Sequence, residues 1–217
     1  MLAARGALKT RKAPIISERK RPGQARSKKL VEDILEGAIR VLGRDGARRF
    51  TTARVAAAAG VSVGSLYQYF PNKESILFRL QTDEWRRTGD LLEGILADAR
   101  LPPLDRLRSA VHAFFMSECE EAELRVALGD ASPAYRDSPQ TAEHRQSGMR
   151  LGLAFVKEIA PEASSRERRL AADVVMTTLS SVGKAVSERG QSRSEVSALA
   201  AAVSDMLCGY LRGLQVR

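Results

Sequence analysis

The chain has 217 residues, 35 Lys or Arg against 26 Asp or Glu for a formal net charge of +9, and 44% apolar residues. That length allows two modest domains, and no run reaches the about 18 uncharged apolar residues that a membrane-spanning helix needs. Two cysteines, Cys119 and Cys208, sit in no CxxC pair, which sets aside a disulfide framework and fits a reducing cytoplasm.

The positive charge is gathered at the beginning. Residues 1–29 hold ten Lys or Arg (Arg5, Lys9, Arg11, Lys12, Arg19, Lys20, Arg21, Arg26, Lys28, Lys29) and one acid, Glu18, while the other 188 residues hold 25 basic and 25 acidic side chains. With Pro14, Pro22, Gly23 and little apolar surface, residues 1–26 are expected to form a disordered basic arm. Such an arm neutralises phosphates, in a minor groove or along the backbone, and makes binding steeply salt-dependent. No apolar core of about 7 to 15 residues follows the charges, so a secretory signal is not expected.

Val31, Ile34, Leu35, Ala38, Ile39 and Leu42 follow helical spacing and predict a first helix with one apolar stripe. Thr51 and Thr52 open a second, alanine-rich helix, where a threonine can cap the first amides. Gly60 suits the left-handed residue that ends it, and Ser62 suits the cap of a third helix running toward Lys73. Helix, Gly-containing turn, helix is the helix-turn-helix layout, so residues 27–80 are read as a three-helix DNA-binding unit.

At about 100° per residue, Val63, Leu66 and Phe70 fall together on the inward side of the third helix, with Gly64, Ser65 and Gln68 opposite. Tyr67 and Tyr69 then project to left and right, where a helix lying in a major groove meets the phosphates of both walls. Gly64 and Ser65 have almost no side chain and let the backbone approach base edges. Gln68 can form a bidentate pair with adenine N6 and N7, and tyrosine hydroxyls can bond phosphate oxygens, which sets register. Each residue alone also suits an ordinary surface helix; the combination points to DNA. Residues Gly60 to Gly64 also satisfy the G-x-S-x-G pattern of a hydrolase elbow, but that elbow needs a preceding strand and a partnered histidine. An alanine-rich helical run precedes Ser62, and His112 and His144 carry no signature of a base, so no catalytic residue is assigned.

Beyond this head the pattern is helical throughout, and the fold class is all-α. Asn72 can cap a long helix from Lys73, with Leu77, Leu80, Trp85, Leu92, Ile95 and Leu96 among its apolar positions, ending before Pro102-Pro103. It leads into a helical body, residues 81–217, and is the natural lever between the two. Leu104, Leu107, Val111, Phe114 and Phe115 predict the next helix, and Leu124, Ala127 and Leu128 a shorter one stopping near Gly129. Residues 131–139, with two prolines, read as a loop. Met149, Gly152, Leu153, Val156 and Ile159 mark a helix ended by Pro161. Ser164 with Glu167 and Ser192 with Glu195 are capping boxes that open two more. The last helix carries Val196, Leu199, Ala200, Val203, Leu207, Tyr210, Leu211 and Leu214, a stripe longer than one core needs, and surplus apolar surface invites a partner.

Trp85, Phe114, Phe115, Met116, Cys119, Tyr135, Met149, Phe155 and Met176 are large or adaptable side chains that can line a pocket between helices, although core packing accounts for each singly. The acidic run Glu118, Glu120, Glu121 and Glu123 reads as a solvated helix face. Two isolated histidines make no metal site. No cofactor is implied.

Residues 28 to about 80 resemble the DNA-binding domain of the tetracycline-repressor (TetR) family of bacterial transcription regulators. The resemblance rests on Gly46, Thr51-Thr52, Val55-Ala56, the run Ala59 to Ser62, Gly64, Leu66-Tyr67, Tyr69-Phe70 and Lys73. It implies that Thr51, Ser62, Gly64, Ser65, Tyr67, Gln68, Tyr69 and Lys73 touch DNA, with Thr52 and Arg54 beside them. Tyr69 departs from the histidine often found at its position, and Val63 from a polar or basic residue.

The resemblance further implies an N-terminal helix-turn-helix domain followed by a helical ligand-binding and dimerisation domain. The last two helices would pair with their copies across a two-fold axis as a four-helix bundle, placing Val174, Leu199, Val203, Leu207, Tyr210 and Leu211 at the interface. A two-fold dimer reads a near-palindromic operator in double-stranded DNA. The expected activity is that of a cytoplasmic repressor released by a small-molecule effector held near Trp85, Phe114, Phe115, Cys119, Met149, Phe155 and Met176. The alternative is a regulator of the same shape that answers to a protein partner or to nothing.

Overall fold

The computed structural model describes residues 15–20 and 23–215. Among these are nine α-helices, one 3-10 turn and no strand, and no helix is long and apolar enough to cross a membrane. The chain before Ile15, where most of the basic arm falls, lies outside the described residues.

Helix α1 (Ala25–Arg49) turns Val31, Ile34, Ala38, Val41 and Leu42 inward. It lies close on α2 (Thr52–Ala59) at Gly37, where a Cβ would stand 2.8 Å from the Ala59 nitrogen. The Thr51 hydroxyl caps α2 by accepting from the Arg54 amide at 3.3 Å, and Gly60, at φ +67°, ends it in the left-handed conformation. Ser62 caps α3 (Val63–Tyr67) by accepting from the Ser65 amide at 3.0 Å. Asn72 caps α4 (Lys73–Leu96) by accepting from the Ser75 amide at 2.8 Å.

Ile34, Phe50, Leu66 and Phe70 are wholly buried and bind α1 to α4 into the head. The same apolar cluster continues past residue 80 through Trp85, and takes in Ala127 and Leu128 of α6 (Ala122–Ala131) and Tyr135 just beyond it. Head and body thus share packing across their junction. A second core, around Phe115, Val156, Ala172, Leu207 and Leu211, joins α5 (Pro103–Glu120), α7 (Pro139–Ile159), α8 (Ser165–Arg189) and α9 (Arg193–Gln215). Both expected capping boxes are formed: the Ser164 and Ser192 amides each donate to the glutamate three residues on, at 2.8 Å. The two-proline loop holds the 3-10 turn Ser132–Ala134.

Three sequence expectations change here. Val203, Leu207 and Leu211, assigned to a dimer surface, are buried within the protomer because that face of α9 is already covered by α5. The Cys208 thiol donates to the Leu104 carbonyl at 3.6 Å, and Arg108 pairs with Asp205. Val174, Leu199 and Tyr210 are only half-buried, and the large apolar side chains most exposed on α8 and α9 are Leu170 and Met206. Trp85 does not join the other expected effector-pocket residues: it packs in the head's cluster, stacked on His144 of α7 with ring centroids 4.4 Å apart and planes 3° from parallel. Finally, Glu118 is not solvated. It lies three residues past Phe115 and seven past Val111, so helical phase carries it inward, and only 7% of it is exposed.

Glu118 is one arm of a buried ionic cluster. Arg125 of α6 stands 2.6 Å from both Glu118 of α5 and Glu84 of α4, and donates to the Thr88 and Ser117 hydroxyls at 3.0 and 2.9 Å. Ser187 of α8 donates to Glu118. Three helices, α4, α5 and α6, therefore meet on one guanidinium, and α8 joins them through Glu118. Burial raises the Glu84 carboxyl above the ordinary carboxylate range, opposed by Arg125. Arg125→Met would leave two facing carboxylates in a dry site, at a cost of about 3–5 kcal/mol, seen as a fall in Tm of roughly 10 °C. A carboxyl whose folded pKa lies above its unfolded value loses stability as pH rises. The deficit, measured by thermal melts across a pH series, should therefore be larger at neutral pH than below the carboxylate range.

Candidate nucleic-acid interface

A helix of five residues cannot support itself in water, since nucleation costs more than one turn of hydrogen bonds returns. α3 is held from below by Leu66 and Phe70, both wholly buried. It is held at its start by Ser62, whose hydroxyl also meets that of Ser65 at 2.8 Å. What remains on the outer face is Val63, Gly64, Tyr67 and Gln68, all exposed. A Cβ on Gly64 would meet nothing nearer than the Ser62 hydroxyl at 3.8 Å, so the protein's own packing does not require a glycine there.

Two positions differ from the helical-wheel reading. Val63 points outward, 40% exposed, and Tyr69 points inward, 6% exposed. α3 ends at Tyr67, with Gln68 as its C-terminal cap. The wheel therefore fails beyond that residue, and the chain turns Tyr69 and Phe70 together into the core. Val63 is the first residue of the helix, where no facing side chain remains to cover it.

The other candidate residues divide by what they touch. The Tyr67 hydroxyl meets the Thr52 hydroxyl at 3.0 Å, tying α3 to the start of α2. Thr51 and Ser62 are caps. Arg54 pairs with Asp45 at 3.2 Å and donates to the Arg49 carbonyl at 3.4 Å. The Asp45 carboxyl is held below its ordinary range by Arg44 first and by Arg54 as well. Lys73, half-buried at the first position of α4, follows directly on its cap. The G-x-S-x-G serine is preceded by helix α2, and its hydroxyl serves as a cap.

Part of the basic arm is seated on this head. The Asn72 side chain donates to the Ile15 carbonyl at 2.9 Å, and the Arg19 amide donates to the Tyr69 carbonyl at 2.8 Å. Ile16 packs against the head's core, and Glu18 pairs with Arg79 of α4. The Arg19 guanidinium reaches the Tyr67 carbonyl at 3.4 Å. Sequence reasoning turned Val63 inward, whereas it is exposed at the first position of α3, and it counted Arg19 only as one of ten basic residues of the arm, because its contacts on the head are main-chain carbonyls.

In the body, Phe115 and Phe155 are core residues, with Phe114, Cys119 and Met149 packed around them. Met176 lies over two glycines of α7: a Cβ on Gly148 would stand 3.0 Å from its Cε, and one on Gly152 3.5 Å from its Cγ.

Comparison with known proteins agrees with this geometry. Residues 34–80 match the family described as bacterial regulatory proteins, tetR family, and residues 102–214 match the tetracyclin repressor-like C-terminal domain. A stretch of 102 residues is 36% identical to the nucleoid occlusion factor SlmA of Mannheimia succiniciproducens, covering 38% of this chain and 46% of that protein, so the match spans less than half of that relative. Three solved structures share the fold at lower identity. The fatty acid degradation regulator FadR of Bacillus halodurans has a TM-score of 0.66 at 23% identity, covering 89% of this chain and 99% of that one. FadR of Bacillus subtilis, in complex with stearoyl-CoA, has a TM-score of 0.66 at 19% identity, covering 82% and 97%. GusR of Salmonella enterica has a TM-score of 0.60 at 18% identity, covering 87% and 96%. With the C-terminal match alone extending over more than half of the chain and the head matched separately, the protein belongs to the TetR family of bacterial regulatory proteins.

Proposed function

We propose that this protein is a sequence-specific transcription regulator that binds a near-palindromic operator as a homodimer, acting as a repressor released by a small molecule. The observation that carries the reading is the outer face of α3. A short helix is anchored by Leu66 and Phe70 and presents a bare glycine flanked by Val63 and Gln68. Gly64 leaves the backbone free to approach the bases, Gln68 pairs with an adenine edge, and the Val63 methyls suit a thymine methyl. Tyr67, Thr52, Thr51, Ser62, Ser65 and Lys73 take phosphates and fix register. Tyr69, with its ring in the core, supports the base of α3.

The effector site is assigned to the body around Phe114, Cys119, Met149 and Met176. A thioether lying on glycines is the kind of side chain that moves aside at little cost, and Phe115 and Phe155 form the wall behind it. The dimer face lies on the outer sides of α8 and α9, where Leu170 and Met206 are exposed and Val174, Leu199 and Tyr210 are partly open.

Operator selection from random duplexes, followed by titration of the selected site against a random one, tests the head. Gln68→Ala should relax base preference at one position, at a cost of about 1–3 kcal/mol on the operator alone. Tyr67→Phe and Lys73→Ala should weaken operator and random duplex alike. An equal loss on both for Gln68→Ala would remove its assigned role. Gly64→Ala separates reading from folding: it should leave Tm unchanged or raise it, by up to about 1 kcal/mol of helix propensity, yet weaken the operator several-fold.

Thermal melts with long-chain acyl-CoA, then with apolar and cationic compounds, test the body. A ligand selective for the folded state raises Tm, and a true effector must also lower operator affinity, by about 5- to 150-fold for a typical coupling. A compound that raises Tm without moving operator affinity is no effector, and silence across the panel would favour control by a protein partner.

A further inference from the structure

We propose that residues 15–20 form a strap that presents Arg19 to a DNA phosphate beside the C-terminal end of α3. The proposal rests on the DNA-binding reading above and adds a contact outside the helix-turn-helix. The strap alternates like a strand: Ile16 and Glu18 are partly buried, while Ile15, Ser17 and Arg19 are exposed. Ordering six residues costs about 1–2 kcal/mol each in backbone freedom, and four separate anchors offset it. These are the Asn72 bond to the Ile15 carbonyl, the apolar contact of Ile16, the Glu18 ion pair with Arg79 and the Arg19 amide bond to the Tyr69 carbonyl.

Charge placement gives the strap a direction. Glu18 is the one acid among residues 1–29, and Arg79, itself shared with Asp83 at 2.8 Å, neutralises it on the inner side. On the outer side, Arg19 has no carboxylate partner among the described residues, as is also true of Arg26, Arg48 and Arg49, whereas Arg44, Arg54 and Arg79 of the same head are each paired; Arg19 alone of these is placed beside the end of α3 by its own amide bond to Tyr69. The guanidinium instead touches the main-chain carbonyl of Tyr67 at 3.4 Å, the residue whose ring stands at the edge of the reading face. An unpaired, exposed guanidinium held by its own backbone at that edge is preorganised for a phosphate oxygen. Lys20, also exposed, follows it.

The full-length protein tests this through the salt dependence of binding to operator and random duplex. Arg19→Ala should weaken both duplexes by a similar factor, roughly three- to tenfold at low salt, and reduce the slope of log K against log salt by about 0.9, the loss of one phosphate contact. Its Tm should not move, because the side chain is exposed; Arg19→Lys should restore the slope. Ile16→Ala combined with Glu18→Gln unseats the strap and should produce the same change in slope with Arg19 still present. If Arg19→Ala keeps the wild-type slope while Lys73→Ala lowers it, the strap is packing only and the proposal fails, with the DNA reading intact. If wild-type protein binds no duplex at low salt, the DNA reading itself fails and the strap with it.

Discussion

The outer face of α3 depends on the burial of two side chains. α3 is too short to be stable by its own hydrogen bonds, and Leu66 and Phe70, packed among Ile34, Phe50 and Val55, supply what the backbone does not. Together they bury about 3–6 kcal/mol of apolar side chain, which fixes both the existence of the helix and its angle. Capping by Ser62 and the Tyr67 to Thr52 contact then set its rotation. The outer residues can stay small and polar because stability is provided from the opposite side. At Gly64 the outer face has no packing duty at all, since the fold leaves room for a side chain that the sequence omits.

An effector of the proposed kind would have to carry a change in the body to that helix. Two features bear on how. The head's apolar cluster extends into α6 through Leu128 and Tyr135, and Arg125 of α6 is locked to Glu84 of α4 and Glu118 of α5. Separating those charges costs about 3–5 kcal/mol, more than the about 1–3 kcal/mol that an effector typically supplies as coupling. A ligand would therefore move α4, α6 and the end of α5 as one block and leave the ion pairs intact. The Trp85 to His144 stack places α7 against the same block. Displacement in the body, where α7 meets α8 through Met176 and its two glycines, has a short mechanical route to α4.

Helix order, and each start at Thr51, Ser62, Asn72, Ser164 and Ser192, was legible because a cap is a local hydrogen bond that advertises itself by residue type. The errors arose where the decisive partner was distant or anonymous. Tyr69 was turned outward because a uniform rotation was carried past the end of a five-residue helix, and Val63 inward because the wheel does not show that the first residue of that helix has no side chain facing it. Glu118 carried a charge that masked its phase with Val111 and Phe115. Val203, Leu207 and Leu211 looked surplus because nothing in α9 says that α5, some ninety residues earlier, already covers them. Trp85 was grouped with aromatics of the body by size alone. The strap was invisible for a different reason: two of its four anchors use the carbonyls of Ile15 and Tyr69, which any sequence would provide, and the other two, Ile16 on the head's core and Glu18 on Arg79, join residues distant in the chain.

On the proposed reading, information and affinity are supplied by different parts of this molecule. Few side chains on α3 can distinguish bases, and one good bidentate pair is worth only about 1–3 kcal/mol. Outside the first 29 residues the acidic and basic side chains balance at 25 each, so the folded body adds little net attraction to a polyanion. On that reading, attraction comes from the basic segment at the beginning of the chain, which holds the net charge. The proposed homodimer would then multiply specificity by pairing two heads on one duplex, since a single α3 specifies too few positions. With residues 15–20 seated at the edge of α3, the proposed Arg19 contact would bring salt-sensitive attraction to the place where the proposed base reading occurs, so that phosphate capture and register would be set in one step.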